Sequence, residues 1–257
     1  MWVGFEVKDL RKFFVLNNQI EGDNICIKGT DVNHIKNVLR LEVGTKILVC
    51  DKDLKKNYIS EITEVSSEEV NCKIIEEAEA TSESNVTLDI YQGLPKADKM
   101  ELVIQKGTEL GVNKFIPVKM ERCIVKLDQK DELKKIDRWN KISEVASKQS
   151  GRDIVPEVSH VYDIKDVQNV ISDYDLFIVC FENEKENTIK NELVTIKTKK
   201  QTYKVAVLIG PEGGLAESEV EALKQSGAKV VTLGNRILRT ETVALSVASI
   251  IMYELEM

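Results

Sequence analysis

Apolar positions in the first third of the chain come in short alternating runs at 12–15, 24–27, 46–50, 58–62 and 69–74. Turn signals such as Glu21-Gly-Asp-Asn24 and Val43-Gly-Thr45 separate them. Alternation on this scale predicts small antiparallel strands. One helical stretch, 31–39, interrupts them, with Ile35, Val38 and Leu39 on one side and Asp31 at its N-cap. Residues 1–75 therefore read as a compact β-barrel-like module.

A polar run, 76–85, then marks a linker, and from 86 to 257 the rhythm becomes strand–helix–strand. Strands are predicted at 86–91, 114–118, 175–181, 204–209 and 229–233. The first helix, 98–110, has Asp98 and Glu101 at capping-box spacing and Gly111 as its stop. A long amphipathic helix, 131–149, carries Leu133, Ile136, Trp139, Ile142 and Ala146 on one stripe and ends at Gly151. Helix 217–225 is stopped by Gly227, and helix 241–254 would bury Val243, Val247, Ile250 and Ile251. Such alternation predicts an α/β fold, with a mainly parallel sheet covered on both faces.

Composition narrows the function classes only a little. At 42% hydrophobic and 31% charged residues, the chain has the make-up of an ordered globular protein. No apolar run approaches the roughly 20 residues that span a bilayer, and the start has no basic, then apolar, signal-peptide pattern. Five scattered cysteines, none in a Cys-x-x-Cys pair, predict reduced thiols and a cytoplasmic protein. With His34 and His160 the only histidines, no metal site is expected. A net charge of −7 argues against a general nucleic-acid coat but leaves room for a local basic patch.

Ligands of parallel α/β sheets collect at the loops leaving the carboxyl ends of strands. Three such loops are unusual here. Gly210-Pro-Glu-Gly-Gly214 is neither a P-loop nor Gly-x-Gly-x-x-Gly, yet its glycines predict a sharp turn with close backbone approach. A bare strand-to-helix turn would explain it equally well. Leu233-Gly-Asn-Arg-Ile-Leu-Arg-Thr-Glu-Thr242 sets Arg236, Arg239 and Glu241 among Leu233, Ile237, Leu238 and Val243. Charge held against apolar surface is costly unless paired or used, although a solvated Arg239–Glu241 pair with a Thr240 cap would also account for it. The third, Gln92-Gly-Leu-Pro-Lys-Ala-Asp98, offers Lys96 and Lys99 to phosphate or simply to solvent.

In order and spacing these segments resemble the 16S ribosomal RNA uracil-N3 methyltransferase family, a branch of the SPOUT, or trefoil-knotted, methyltransferases. The resemblance is carried by Arg11-Lys-Phe-Phe-Val15, His34-Ile-Lys-Asn-Val-Leu-Arg40, Gly93-Leu-Pro-Lys-Ala-Asp-Lys-Met-Glu101 and Gln105-Lys-Gly-Thr-Glu-Leu-Gly111. Glu121-Arg122, Lys148-Gln-Ser-Gly-Arg152, Ile209-Gly-Pro-Glu-Gly-Gly214 and Arg236-Ile-Leu-Arg-Thr-Glu-Thr242 complete it. Asn235 stands where the family often has proline and Ala97 where glycine is common, while residues 1–10 form an extension with no assigned role.

The resemblance implies a PUA-like RNA-binding barrel (1–75), a linker (76–85) and a knotted SPOUT methyltransferase domain (86–257). It further implies a homodimer that uses S-adenosyl-L-methionine to methylate N3 of a uridine in 16S ribosomal RNA, within the small ribosomal subunit. Matched onto this sequence, Gly210, Glu212, Gly213, Gly214, Leu233, Gly234, Ile237, Leu238, Thr240, Thr242 and Ala244 would hold the cofactor. Arg11, His34, Lys36, Arg40, Lys96 and Arg122 would meet RNA. Uracil N3 carries a proton at neutral pH, so the site must remove it or stabilise the resulting anion. The candidates are Glu212 and Glu241, or a water, for the proton and Arg152 and Arg239 for the anion. A SPOUT enzyme acting on another RNA and a non-catalytic RNA-binding assembly factor are the competing readings.

Overall fold

The computed structural model describes residues 10–79, 82–197 and 201–256. The extension expected at 1–10 therefore lies, but for its last residue, outside the described residues. The chain divides into two compact units, Met1–Glu83 with Gly151–Ile154, and Ser84–Ser150 with Val155–Met257.

The first unit holds β1 (Lys12–Val15), β2 (Ile20–Glu21), β3 (Asn24–Lys28), the short helix α1 (Thr30–Asn33), β4 (Lys46–Asp51), β5 (Lys56–Val65) and β6 (Glu69–Ala78). They form one sheet in the order β1-β4-β5-β6-β3-β2 around a core that includes Phe13, Ile25, Ile27, Ile35, Ile47, Val49 and Ile62. The neighbouring pairs are antiparallel except β1 with β4, which is parallel. Two strands and a helix intervene between those two, and such a long crossover is what parallel pairing requires. β6 also runs on into the polar stretch that begins at Glu76.

Asp31 is not the cap of its helix. Gly29, at φ 80°, occupies the N-cap, and Asp31 lies buried in the first turn, where a carboxylate favours the helix dipole. Past Asn33 the coil widens to a π-helix over His34–Val38. The wider turn carries Val38 off the core face, leaving it 63% exposed beside a fully buried Ile35.

The second unit contains β7 (Val86–Gly93), α2 (Lys99–Glu109), β8 (Lys114–Val118), α3 (Gln129–Ser150), β9 (Glu157–Val158), α4 (Ile164–Val170) and β10 (Leu176–Cys180). α5 (Ile189–Ile196), β11 (Tyr203–Ile209), α6 (Glu217–Gln225), β12 (Lys229–Val231) and α7 (Thr240–Leu255) follow. The sheet runs β12-β10-β11-β7-β8-β9, and all its pairs are parallel. Side chains alternate between two cores, as the strand period of two demands. Leu88, Ile90, Ile178, Val205 and Val207 join a core with α2, α3, α5 and α7, whereas Tyr91, Phe177, Val179, Ala206 and Leu208 face α4 and α6. The sheet is thus covered on both faces, as an α/β protein requires.

Three sequence expectations fail in this unit. Asp98 makes no side-chain cap, and Glu101 instead accepts from Arg138 of α3 at 2.8 Å. Leu133 is 65% exposed, near the start of α3. On α7 the buried stripe is Thr240, Ala244, Val247, Ala248, Ile251, Met252 and Leu255, with Ile250 turned outward. Ala244 and Ala248 are fully buried in the core that α7 shares with the sheet.

Gly107 shows how tightly α2 lies on β8. A Cβ at this position would stand 2.7 Å from the ring of buried Phe115. In an exposed helix, glycine to alanine stabilises by about 1 kcal/mol. Here Gly107→Ala is expected to destabilise by about 1–3 kcal/mol, the range for overpacking a filled core. Urea unfolding gives the sign directly.

Candidate functional site

A cleft of about 510 Å³ opens at the carboxyl ends of β10, β11 and β12, three adjacent strands of the parallel sheet. One wall is Ile209–Gly214, the opposite wall Thr232–Thr240, and Cys180–Glu182 with Lys185 close the side beneath β10. Lys99, at the start of α2, reaches in from the loop after β7.

The glycine-rich wall is a tight turn in which the Gly214 amide donates to Pro211 O at 2.9 Å. Gly214 sits at φ +70°, a conformation that glycine adopts without strain, and a Cβ there would run into the Glu182 carboxylate. A Cβ on Gly213 would lie 3.0 Å from Cβ and 3.1 Å from the carbonyl oxygen of Arg122. The Arg122 guanidinium in turn donates to Gly213 O at 3.2 Å. Glycines here admit close neighbours, Arg122 at Gly213 and the Glu182 carboxylate at Gly214.

Charge at the mouth is organised by Lys99. Its ammonium lies 2.8 Å from Glu212 Oε1 and 3.8 Å from Glu241 Oε2. The Lys96 amide also donates to Glu212, at 3.0 Å. Burial pushes the Glu212 carboxyl up, but Lys99 and the backbone amides outweigh it and hold the group below the usual carboxylate range. The same hydrogen bond raises the Lys99 ammonium above its ordinary value. Glu241, in the first turn of α7, keeps a buried Oε2 that accepts no hydrogen bond. The rim also carries exposed Arg236 and Arg239, and Ile237 at 90% exposure.

Of the residues expected to hold a cofactor, Gly210, Glu212, Gly213, Gly214, Leu233, Gly234, Ile237, Leu238 and Thr240 all line this cleft. Thr242 is turned to solvent on α7, and Ala244 is fully buried in the core. Arg239 lines the cleft with Glu212. Arg152 belongs to the first unit, where its guanidinium is 6% exposed and bonded to Glu83 at 2.5 Å. Among the expected RNA contacts, Arg11, His34, Lys36 and Arg40 are exposed on the first unit, and Lys96 and Arg122 on the second. The His34 ring meets Phe13 edge-on, with centroids 6.3 Å apart.

Sequence reasoning missed Glu182 and Lys185, and weighed Lys99 as a phosphate contact or a solvated lysine, not as the partner of two carboxylates. The polar run Glu182-Asn-Glu-Lys-Glu-Asn187 after a predicted apolar strand was the available signal for the first two. No group of three or more His, Cys, Asp or Glu suited to a metal ion occurs among the described residues. Nor is any described helix long and apolar enough to cross a membrane.

Comparison with known proteins places this geometry. Residues 82–252 match a family model described as an RNA methyltransferase domain, and 27–75 match an RNA methyltransferase PUA domain. The ribosomal RNA small subunit methyltransferase E of Bacillus subtilis is 37% identical over 96% of this chain and 98% of its own length. That of Aquifex aeolicus is 32% identical over 90% of this chain and 95% of its own. A crystal structure of the Neisseria gonorrhoeae ribosomal RNA small subunit methyltransferase E, bound to S-adenosyl methionine, superposes with a TM-score of 0.81 at 27% identity, covering 95% of this chain and 97% of that one. With both of its units matched and its length spanned almost entirely by these relatives, the chain belongs to the RNA methyltransferase family that contains the ribosomal RNA small subunit methyltransferases E.

Proposed function

We propose that the protein transfers a methyl group from S-adenosyl-L-methionine to N3 of a uridine in 16S ribosomal RNA of the small ribosomal subunit. The observation that carries the reading is the pairing of the glycine turn with the Leu233–Thr240 wall across one cleft at the carboxyl ends of parallel strands. The cleft suits such a cofactor in kind. It combines exposed apolar surface at Ile237, close-approach backbone at Gly210–Gly214, and charged groups of both signs, among them Glu182 and Lys185, for a ligand that carries both an amine and a carboxylate. S-adenosylmethionine supplies a methyl group made electrophilic by a sulfonium.

The chain's own residues must then deal with the uracil N3 proton. Glu212, which lines the cleft but is held by Lys99 and a backbone amide, and Glu241, whose buried Oε2 accepts no hydrogen bond and lies 3.8 Å from Lys99, are the candidate acceptors. Arg239, on the rim, is the cation for the developing uracil anion, and Arg152 is retained as the second candidate on the family pattern alone. The PUA-like unit contributes Arg11, His34, Lys36 and Arg40 to RNA, with Lys96 and Arg122 on the methyltransferase unit. We assign the protein to the cytoplasm as a homodimer with a trefoil knot in its methyltransferase domain, on the strength of the family pattern.

Two measurements test the reading. Titration of the purified protein with S-adenosylmethionine should release or absorb heat with one site per chain, and no binding would favour an assembly factor instead. Mass mapping of modified nucleosides in small-subunit RNA from cells lacking the protein should show loss of N3-methyluridine, and its persistence would overturn the assignment. Charge reversal at Arg40 or Arg11 should weaken RNA binding and lower the salt slope by about 0.7–0.9 per lost phosphate contact. Cofactor affinity should stay unchanged.

A further inference from the structure

Gln92 breaks the pattern of its strand. On β7, Leu88 and Ile90 point into the core shared with α7, and the next position of that parity is a glutamine, 0% exposed. A fully buried polar side chain at an apolar position calls for an explanation. Its amide nitrogen donates to Thr240 Oγ1 at 2.8 Å and to Gly93 O at 3.0 Å, with Gly210 O at 3.5 Å. The Thr240 hydroxyl spends its one proton on Gly210 O, at 2.7 Å. Gln92 Oε1 remains buried without a hydrogen-bond partner.

Three loops meet at this point. Gln92 stands in register with Ile209, the last residue of β11, so its side chain spans the end of β7, the first residue of the glycine turn and the first residue of α7. α7 has no side-chain cap, because its N-cap is Arg239. The link to Gly210 through Thr240 thus ties the start of the helix to the facing wall of the cleft. A leucine or methionine at position 92 would fill the same space without leaving an orphan acceptor, so packing alone does not call for glutamine.

We propose that Gln92 is a positioning residue: acting through the Thr240 hydroxyl, it sets the Gly210 carbonyl and the start of α7 at the distance the methyl donor requires. The proposal rests on the reading of this cleft as the cofactor site. It gives Thr240 a different part from direct cofactor contact, since both its donor and an acceptor direction are already engaged within the protein.

The test uses the full chain and calorimetric titration with S-adenosylmethionine, thermal melting as a folding control, and binding of a small-subunit RNA fragment. Gln92→Met and Thr240→Val should each weaken cofactor binding about tenfold, what one well-made hydrogen bond is worth. RNA binding should hold, and the double variant should be no weaker than either single, because both remove the same link. Thr240→Ser, which keeps the hydroxyl, should return affinity to within about twofold. The proposal is overturned if Thr240→Val binds like the wild type, if Thr240→Ser is as weak as Thr240→Val, or if the two losses multiply. Should Gln92→Met not fold, Gln92→Leu takes its place in the same cycle with Thr240→Val. Absence of cofactor binding by the wild type would strike at the assignment of the cleft instead.

Discussion

Replacing Arg152 by alanine is expected to lower the unfolding free energy by about 3 kcal/mol, the lower end of the range for stranding one partner of a buried ion pair. The Arg152 guanidinium donates to both oxygens of Glu83, through Nε at 3.3 Å and Nη2 at 2.5 Å. Glu83 Oε1 also accepts from the Asp153 amide at 2.9 Å. Removing the arginine leaves a carboxylate only 21% exposed without its fork, and that residual exposure keeps the effect from the top of the range. Arg152→Lys should recover only part of the loss, since an ammonium cannot make two parallel bonds. Urea unfolding checks the figure. Turnover measured under saturating RNA, at a temperature where the variant is folded, separates this role from catalysis. Unchanged stability with a large fall in turnover would mean that the arginine acts on the uracil anion, and not as a fastening.

The second large effect is expected at Gly93. An added Cβ would stand 2.7 Å from both the nitrogen and Cδ of Pro211, in the glycine turn. Neither atom belongs to a flexible side-chain end, so the turn itself must shift. β7 and β11 are held in register immediately behind it, Gln92 opposite Ile209, which leaves the strand no freedom to retreat. Gly93→Ala should therefore cost cofactor binding about 1–3 kcal/mol, roughly fivefold to 150-fold in affinity. RNA binding through the first unit should be unaffected. Retained cofactor affinity would show that the Gly210–Gly214 wall tolerates displacement, and that its glycines are not there for close approach.

How far such features can be read from residues alone depends on the range of the interaction. Strand β8 and helix α6 lie where local pattern puts them, because alternation and an i, i+3/i+4 stripe are properties of neighbouring residues. Helices α4 and α5 carry too little periodicity over 7 and 8 residues to stand out, although the Asp163 capping box of α4 was a usable local sign. Asp31 and Asp98 have the right residue type for capping, but the final helix geometry gives the first site to Gly29 and turns Glu101 toward Arg138. The two walls of the cleft were legible as odd loops after strands. Their electrostatics were not, since Lys99 and Glu212 are 113 residues apart and only the fold brings them together. Gln92 is invisible for the same reason. Nothing in its own neighbourhood marks it as a buried link to Thr240, 148 residues away.

The four residues Gly151–Ile154 count with the first unit although the chain on either side of them builds the second. On a ribosome the chain emerges from its N-terminus, and N-terminal domains ordinarily finish folding before their successors appear. Here the first unit is complete only once residues 151–154 have been made. The Lys12 ammonium bonds to Asp153 at 2.6 Å across 141 residues, and Ser82 reaches the same carboxylate. Until residue 154 has left the exit tunnel, the nascent barrel carries Lys12 and Glu83 without the groups that complete them. A fragment released by a single cut after Glu83 inherits the same deficit permanently, so the two units, though compact, are not interchangeable modules that a gene fusion could shuffle at one junction.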